Sequence, residues 1–258
     1  MPAAGRKAPT GPGHHDLAVT LLALAALLAW DFSGADLPVV RLFADAQGFA
    51  LRQAWWAGPL LHDGGRMAAW LLLAALVVVA ARTPAAGAAP GTPGAPGRAE
   101  RWRWLAVALF CALLVPVLKR YSTTSCPWDL AEFGGTARYV SHWAHGLRDG
   151  GSGHCFPSGH ATSAFAFLAL YFQWRPHRPA RARRWLLAVL AAGLLFGTAQ
   201  LVRGAHYPSH TLWTAWLCWA SSALAAALFR WRWPHNAAPG AAGAPRSHRS
   251  AHDEPHRP

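Results

Sequence analysis

Three short stretches of this chain gather residues able to do chemistry on an anion. Lys119 and Arg120 are followed by Ser125-Cys126-Pro127-Trp128-Asp129. Pro157-Ser158-Gly159-His160 opens an apolar run, and Arg203-Gly204-Ala205-His206-Tyr207-Pro208-Ser209-His210 separates two more. A Pro-Ser-Gly turn that starts a helix leaves backbone N–H groups free at the positive end of the helix dipole, where an anion binds. Lys119 and Arg203 add positive charge, and a guanidinium grips phosphate oxygens in pairs. His160 and His206 belong to the residue type that titrates near neutrality, so each can act as acid, base or nucleophile. An anion cradle, two cations and two histidines make a phosphoryl-transfer site that needs no metal and no other cofactor. Each piece alone has a plainer reading. Lys119 with Arg120 is also a snorkelling pair, Ser-Gly is also a helix cap, and a lone His at a helix end is usually structural. The functional reading rests on the combination. His142, His145 and His154 read as solvated loop residues, with metal binding the lesser alternative, and Asp129 and Glu132 as ion-pair partners for Arg138.

The elements that must position these residues are apolar blocks. There are six: Leu17–Trp30, Met67–Ala81, Trp104–Leu118, His160–Trp174, Trp185–Val202 and Thr211–Phe229. A helix spanning the bilayer takes about 20 mostly apolar residues. A single block of about 15 also suits a buried core helix, but six blocks almost free of charge predict an all-α, polytopic membrane protein with six transmembrane helices.

Charge placement predicts the orientation. The net charge is +13, a value that in a soluble protein would suggest nucleic acid. With a cytoplasmic N-terminus and one crossing per block, however, 16 of the 24 basic residues fall on the cytoplasmic side. They include Arg6 and Lys7; Arg82, Arg98, Arg101 and Arg103; Arg175, Arg178, Arg181, Arg183 and Arg184; and Arg230, Arg232, Arg246, Arg249 and Arg257. The outer side keeps eight basic residues and seven of the 11 acidic ones, a positive-inside bias. Trp102, Trp104, Trp174, Trp185, Trp231 and Trp233 mark block ends, as an interfacial aromatic belt does. The charge therefore sets topology, and the expected partner is a membrane, not nucleic acid. Both termini are then cytoplasmic, and all three chemical stretches fall at the outer face. The first block also has the make-up of a secretory leader with small residues at Ser33–Ala35, a reading that leaves the other five crossings unchanged.

Residues 1–15 and 234–258 have the Pro-, Gly-, Ala- and His-rich composition of disordered termini. Residues 16–82 read as a first transmembrane helix pair with an outer loop, 83–100 as a cytoplasmic low-complexity linker, and 101–233 as a four-helix catalytic half. Within the outer loop 31–66, Ala44–Trp56 is expected to form a short interfacial helix. Cys111 and Cys218 lie in apolar blocks and read as packing residues. Cys126 and Cys155 share the outer loop 119–159, and in an oxidising compartment they are expected to form a disulfide; free thiols or a metal pair are the other readings. The site is expected to hold no metal, and nothing in the chain indicates an oligomeric state.

The three stretches resemble the motifs of the type-2 phosphatidic acid phosphatase family, related to bacterial acid phosphatases and vanadium haloperoxidases. That family carries Lys followed after six residues by Arg-Pro; then Pro-Ser-Gly-His; then Ser-Arg, five residues, His, three residues, Asp. The second motif is intact at 157–160. In the first, Lys119 stands at the right spacing before Cys126-Pro127, so Cys replaces Arg. In the third, His206 is followed by Tyr207-Pro208-Ser209, but His210 replaces Asp; Gln200 takes the usual Arg place, with Arg203 three residues nearer. The resemblance covers roughly residues 104–230 and the six-helix plan.

The resemblance implies that His206 is a nucleophile forming a phosphohistidine and that His160 protonates the leaving oxygen. Lys119, Arg203, Ser158 and the Gly159 amide hold the phosphate, with Arg120 or Arg203 standing in for the missing Arg. His210, or Asp129 as a substitute carboxylate, orients His206. The implied activity is metal-independent hydrolysis of a lipid-linked phosphate or pyrophosphate at the periplasmic face of a bacterial inner membrane. Candidate substrates are undecaprenyl pyrophosphate, phosphatidylglycerol phosphate, phosphatidic acid and lipid A phosphates. A lipid phosphotransferase using the same intermediate and a non-catalytic phosphate-lipid-binding protein are the alternatives.

Overall fold

A computed structural model describes residues 12–85, 94–144 and 146–232. His145, Trp233, the side chains of Trp231 and Arg232, the terminal residues read above as disordered (apart from 12–15) and their basic residues lie outside this description, as do residues 86–93 of the linker.

The described residues form helices joined by loops, with no strand among them. In chain order they form α1 (Pro12–Ser33), the short α2 (Asp36–Val40), a wide π-type turn of helix (Trp56–Gly64) running directly into α3 (Gly65–Arg82), and α4 (Arg98–Arg120). After a long loop come α5 (Thr162–Phe165), one 3₁₀ turn (Ala166–Leu168) and α6 (Ala169–Trp174), then α7 (Pro179–Val202) and α8 (Pro208–Arg232). Five helices are long and apolar enough to cross a bilayer: Gly13–Ser33, Trp56–Arg82, Arg98–Arg120, Pro179–Val202 and Pro208–Arg230. Their outer faces carry bare side chains such as Leu22, Trp70, Leu71, Phe110, Leu187 and Leu224. Water would penalise so much exposed apolar surface, whereas hydrocarbon does not. The protein is a multi-pass membrane protein.

The fourth apolar block differs from the rest. Thr162–Trp174 is 13 residues of interrupted helix, about 20 Å long, shorter than the hydrocarbon core of about 30 Å. It is also buried along nearly its whole length, with Phe165, Leu168, Ala169 and Phe172 shielded from the surroundings. Trp104, Val107 and Cys111 of α4, Val189 of α7 and Cys218 and Ala226 of α8 pack around it. It is the axis of the bundle rather than a lipid-facing rod. Small residues allow the close approach. A Cβ at Gly193 would collide with the Phe165 ring, and one at Gly197 with Thr211, so a Gly-x-x-x-Gly pair lets α7 touch both α5 and α8.

The bundle has two chemically distinct ends. At one, Asp16 of α1 is buried and forms a paired contact with Arg175 (2.6 and 2.8 Å), while Arg230 lies 3.7 Å away. A carboxylate in the apolar part of a helix persists only with such partners. Trp216 and Trp219 of α8 donate to Thr20 and fix α1 against α8. The other end is built from loops over a small second core of Val40, Phe49, Leu130, Phe133 and Tyr207. Gly204 has φ +75°, and a Cβ there would strike the Phe49 ring, so both the conformation and the space require glycine.

The loops correct three expectations. Ala44–Trp56 is not a helix: Asp45 and Gly48 pair across a tight turn with Gly48 at φ +108°, and the helix begins only at Trp56. Glu132 pairs with Arg41 (2.5 Å) rather than Arg138, and Asp129 accepts from Ser152 Oγ (3.1 Å). His142 is not solvated. Its side chain is 7% exposed, 3.2 Å from Asp31 and stacked on Phe156 at 4.1 Å.

Candidate active site

The loop end brings together the C-terminus of α4, the start of α5 and the α7–α8 turn. Lys119 sits in the last turn of α4, and a Cβ at Gly159 would lie 3.9 Å from its Cδ and 4.0 Å from its Nζ. Its ammonium has no hydrogen-bond or ion-pair partner among the described residues. Two helix starts are locked to each other: Ser158 N donates to the His210 carbonyl (3.1 Å), and Thr214 Oγ1 lies 3.0 Å from both the Ser158 and His210 carbonyls. Ser158 is fully buried, yet its hydroxyl has no partner. Gln200 Nε2 is likewise buried and unpaired. Buried polar atoms are nearly always bonded, so the unpaired Ser158 hydroxyl, one residue before the Gly159 that faces Lys119, marks a place where something else belongs.

The histidines occupy different settings. His206 and His210 are buried, with their Nδ1 atoms 3.4 Å apart. His210 Nδ1 is 3.1 Å from the Cys155 carbonyl; a carbonyl only accepts, so this nitrogen carries the hydrogen. Burial, then the Lys119 charge, pushes His206 well below its ordinary value of 6.5, so its imidazole is neutral at neutral pH. His160 points to the helical turn Trp56–Gly64. Its Nε2 donates to the Leu61 carbonyl (3.0 Å), and its ring stacks on His62 at 4.6 Å. Arg203 caps α7 on that same side, donating to the Arg52 carbonyl (3.1 Å) and approaching Gln200 Oε1 (3.5 Å).

Cys126 and Cys155 are joined by a disulfide. Their sulfurs and a His206 ring nitrogen lie within 4.8 Å of one another, a spacing that would suit a metal were the thiolates free. The bond between the sulfurs removes both thiolates. Two apolar clefts, of about 200 and 220 Å³, run down the sides of α3 from this end. One reaches Gly159, Arg66 and Ser163 between α3, α4 and α5; the other lies between α3, α5 and α7.

The model of the PAP2 superfamily matches residues 101–234, just over half of the chain. The chain belongs to the PAP2 superfamily. The bundle is also similar to the crystal structure of the first transmembrane PAP2 type phosphatidylglycerolphosphate phosphatase from Bacillus subtilis. The TM-score is 0.50 at 18% identity, covering 85% of this chain and 96% of that one, a likeness of fold. No curated protein sequence matches the chain.

Of the PAP2-motif residues, Lys119, Ser158, Gly159, His160, His206 and His210 converge, and Arg203 flanks them. Arg120 does not join them. It is exposed, because neighbours on a helix point about 100° apart. Asp129 is bonded to Ser152 and is not among the groups bonded to His206. The motifs alone did not reveal the contribution of the helix that begins at Trp56. His62, the Leu61 carbonyl and Arg66 reach the PAP2 site from before residue 119, and Asp36 and Asp31 hold its frame. His62, Asp63 and Arg66, charged or titratable residues at the start of that helix, were the available signal.

Proposed function

We propose that this protein is a membrane lipid phosphatase that releases phosphate from a lipid-linked phosphate or pyrophosphate through a phosphohistidine, without a metal. The observation that carries the reading is the unpaired, buried Ser158 hydroxyl beside the partnerless Lys119 and the neutral His206. The phosphate takes the vacant hydrogen bonds of Ser158 and the Gly159 amide and the charges of Lys119 and Arg203. Its lipid chain lies in the cleft beside Gly159.

Neutral His206 attacks phosphorus through Nε2, and the bond from phosphorus to the lipid oxygen breaks. Burial, then His62, lowers His160 to about 4, so the free residue is neutral. The negative charge of the bound phosphate favours its imidazolium, which gives its extra proton to the leaving oxygen and returns to the neutral ring. Water then attacks the phosphorus–nitrogen bond, His160 takes a proton from it, and phosphate leaves with His206 restored.

In this reading the central segment 162–174 completes six crossings, the site faces the periplasm of a bacterial inner membrane, and both termini are cytoplasmic. The positive-inside count supports that orientation. Trapping tests the mechanism. Quenching the protein with a lipid carrying labelled phosphate is expected to yield an acid-labile, base-stable phosphoprotein that His206→Ala lacks. Equal labelling of His206→Ala would refute it.

A further inference from the structure

The end of the bundle opposite the PAP2 site carries more positive charge than its acids balance. Arg101 of α4 and Arg181 of α7 both lie against the indole of Trp174, the last residue of α6. Their guanidinium carbons are 5.7 and 4.3 Å from the ring centre. Like charges held on one ring repel unless an anion lies beside them. The two acids of this end among the described residues do not supply it. Glu100 is 2.8 Å from His177, and Asp16 is paired with Arg175. Arg101 Nε is buried and has no hydrogen-bond partner. An arginine that only sets membrane orientation carries its headgroup out to water, whereas this one keeps part of it inside.

Gln173 points the same way independently. It is 3% exposed, in α6, and its amide has no hydrogen-bond partner among the described residues. Gln173 and Arg101 line one notch between α3, α4 and α6, walled by Leu76, Trp104, Leu105 and Leu170. Buried amides are nearly always bonded, so two donor groups left open on one notch call for an oxygen. The notch holds about 10 Å³, room for one oxygen and not for a whole phosphate. The rest of the headgroup therefore stays at the surface, where Trp174 joins Arg101 to Arg181. Beside this end α3 and α4 turn Val78, Val79 and Trp102 outward. An anion that settles between such faces brings apolar chains of its own.

We propose that this notch is the headgroup site of an anionic phospholipid, whose phosphodiester bridges Arg101, Gln173 and Arg181. Basic pockets between membrane helices take such headgroups. The lipid ties α4 to α6 and α7, and α4 carries Lys119 at its far end. The site stands whatever the other end hydrolyses.

Thermal unfolding of delipidated full-length protein in a nonionic detergent tests it. Phosphatidylglycerol is the probe, because it is an anionic diester and not a phosphate that the proposed reaction releases. At about 100 times its Kd it is expected to raise Tm by about 5–10 °C. Phosphatidylcholine, with chains but no net charge, and inorganic phosphate, with charge but no chains, are expected to leave Tm in place. An equal shift with phosphatidylcholine would mean unspecific lipid packing, and an equal shift with inorganic phosphate a free-anion site. Either overturns the proposal.

Variants place the effect. Arg101→Gln combined with Arg181→Gln is expected to abolish the shift. Arg183→Gln combined with Arg184→Gln removes as much charge from the same end and is expected to keep it. Equal loss in both pairs would mean diffuse attraction to the surface and overturns the proposal. Gln173→Leu fills the same space without the amide. It is expected to keep the lipid-free Tm and to weaken phosphatidylglycerol binding about 10-fold, as loss of a hydrogen bond to a charged group does. Unchanged affinity would mean that the notch holds only a water, which also overturns it. Should the Arg101 variant fail to fold, Arg181→Gln alone, at an exposed residue, carries the comparison, and a full shift in it refutes the site.

Discussion

Asp36 accepts both the backbone N–H (3.0 Å) and the hydroxyl of Ser209 in the first turn of α8. It also receives the Trp30 indole N–H at 2.9 Å. One carboxylate from α2 thus caps the helix that carries His210 and starts two residues after His206. Replacing it leaves a helix N-terminus uncapped and a buried hydroxyl unpaired. Asp36→Ala is expected to lower stability by about 2 kcal/mol and to reduce kcat, measured by denaturation in detergent and by phosphate release. An unaltered melting profile would mean the cap is dispensable.

Ser158 offers an opposite test, because its hydroxyl is buried without a partner. Removing an unpaired polar atom does not weaken the fold, but it withdraws a donor from a bound phosphate. Ser158→Ala is expected to keep or raise Tm while lowering kcat/KM about 10- to 100-fold, as loss of a hydrogen bond to a charged group does. Loss of both stability and activity would make Ser158 a packing residue.

His160 acts on the leaving oxygen in the proposed chemistry. His160→Asn is expected to slow release from an alkyl phosphate about 10²- to 10⁴-fold. Release from an aryl phosphate with an acidic phenol should suffer far less, because that group leaves without a proton. Equal losses on both substrates would assign His160 to binding.

The buried His206 links activity and stability to pH. Its folded value lies well below the ordinary 6.5. The nucleophile therefore stays neutral, and the acid limb that it sets in kcat/KM is expected below pH 6.5. The unfolded chain takes up a proton at this residue near 6.5 while the folded one does not. Stability from this group is thus full above 6.5 and is lost as pH falls towards the folded value. Denaturation of wild type and His206→Asn across pH 4–8 is expected to show a shallower decline in the variant (about 1.4 kcal/mol is lost per unit while the two states differ by one proton).

Close packing of α7 is the fold's most exacting contact. Gly193→Ala would drive a methyl into the Phe165 ring at the bundle axis. A loss of about 1–3 kcal/mol is expected, seen as a lower melting temperature in detergent. Gly97, which has open space around it, is the matched control.

Much of this architecture was legible in the chain because lipid demands long apolar runs, and five of the six runs are helices of spanning length. Hydropathy does not distinguish lipid from protein as surroundings, so nothing marked Thr162–Trp174 as the buried axis. At the site, Lys119, Ser158, His160 and His206 were legible because each sits in a short local pattern. Asp36, Leu61 and His62 were not, because they arrive from far along the chain with no local signature. Ala44–Trp56 misled because its apolar spacing outweighed the turn at Asp45–Gly48.

The central claim is that the protein hydrolyses a phosphorylated lipid using its own side chains. Phosphate release by purified protein in EDTA, from a panel of phosphatidic acid, phosphatidylglycerol phosphate, undecaprenyl pyrophosphate and lipid A, tests it most directly. At least one lipid is expected to lose phosphate, with vanadate and His206→Ala abolishing the release. No release from any of the four, release only when a divalent metal is restored, or full activity in His206→Ala would contradict the account.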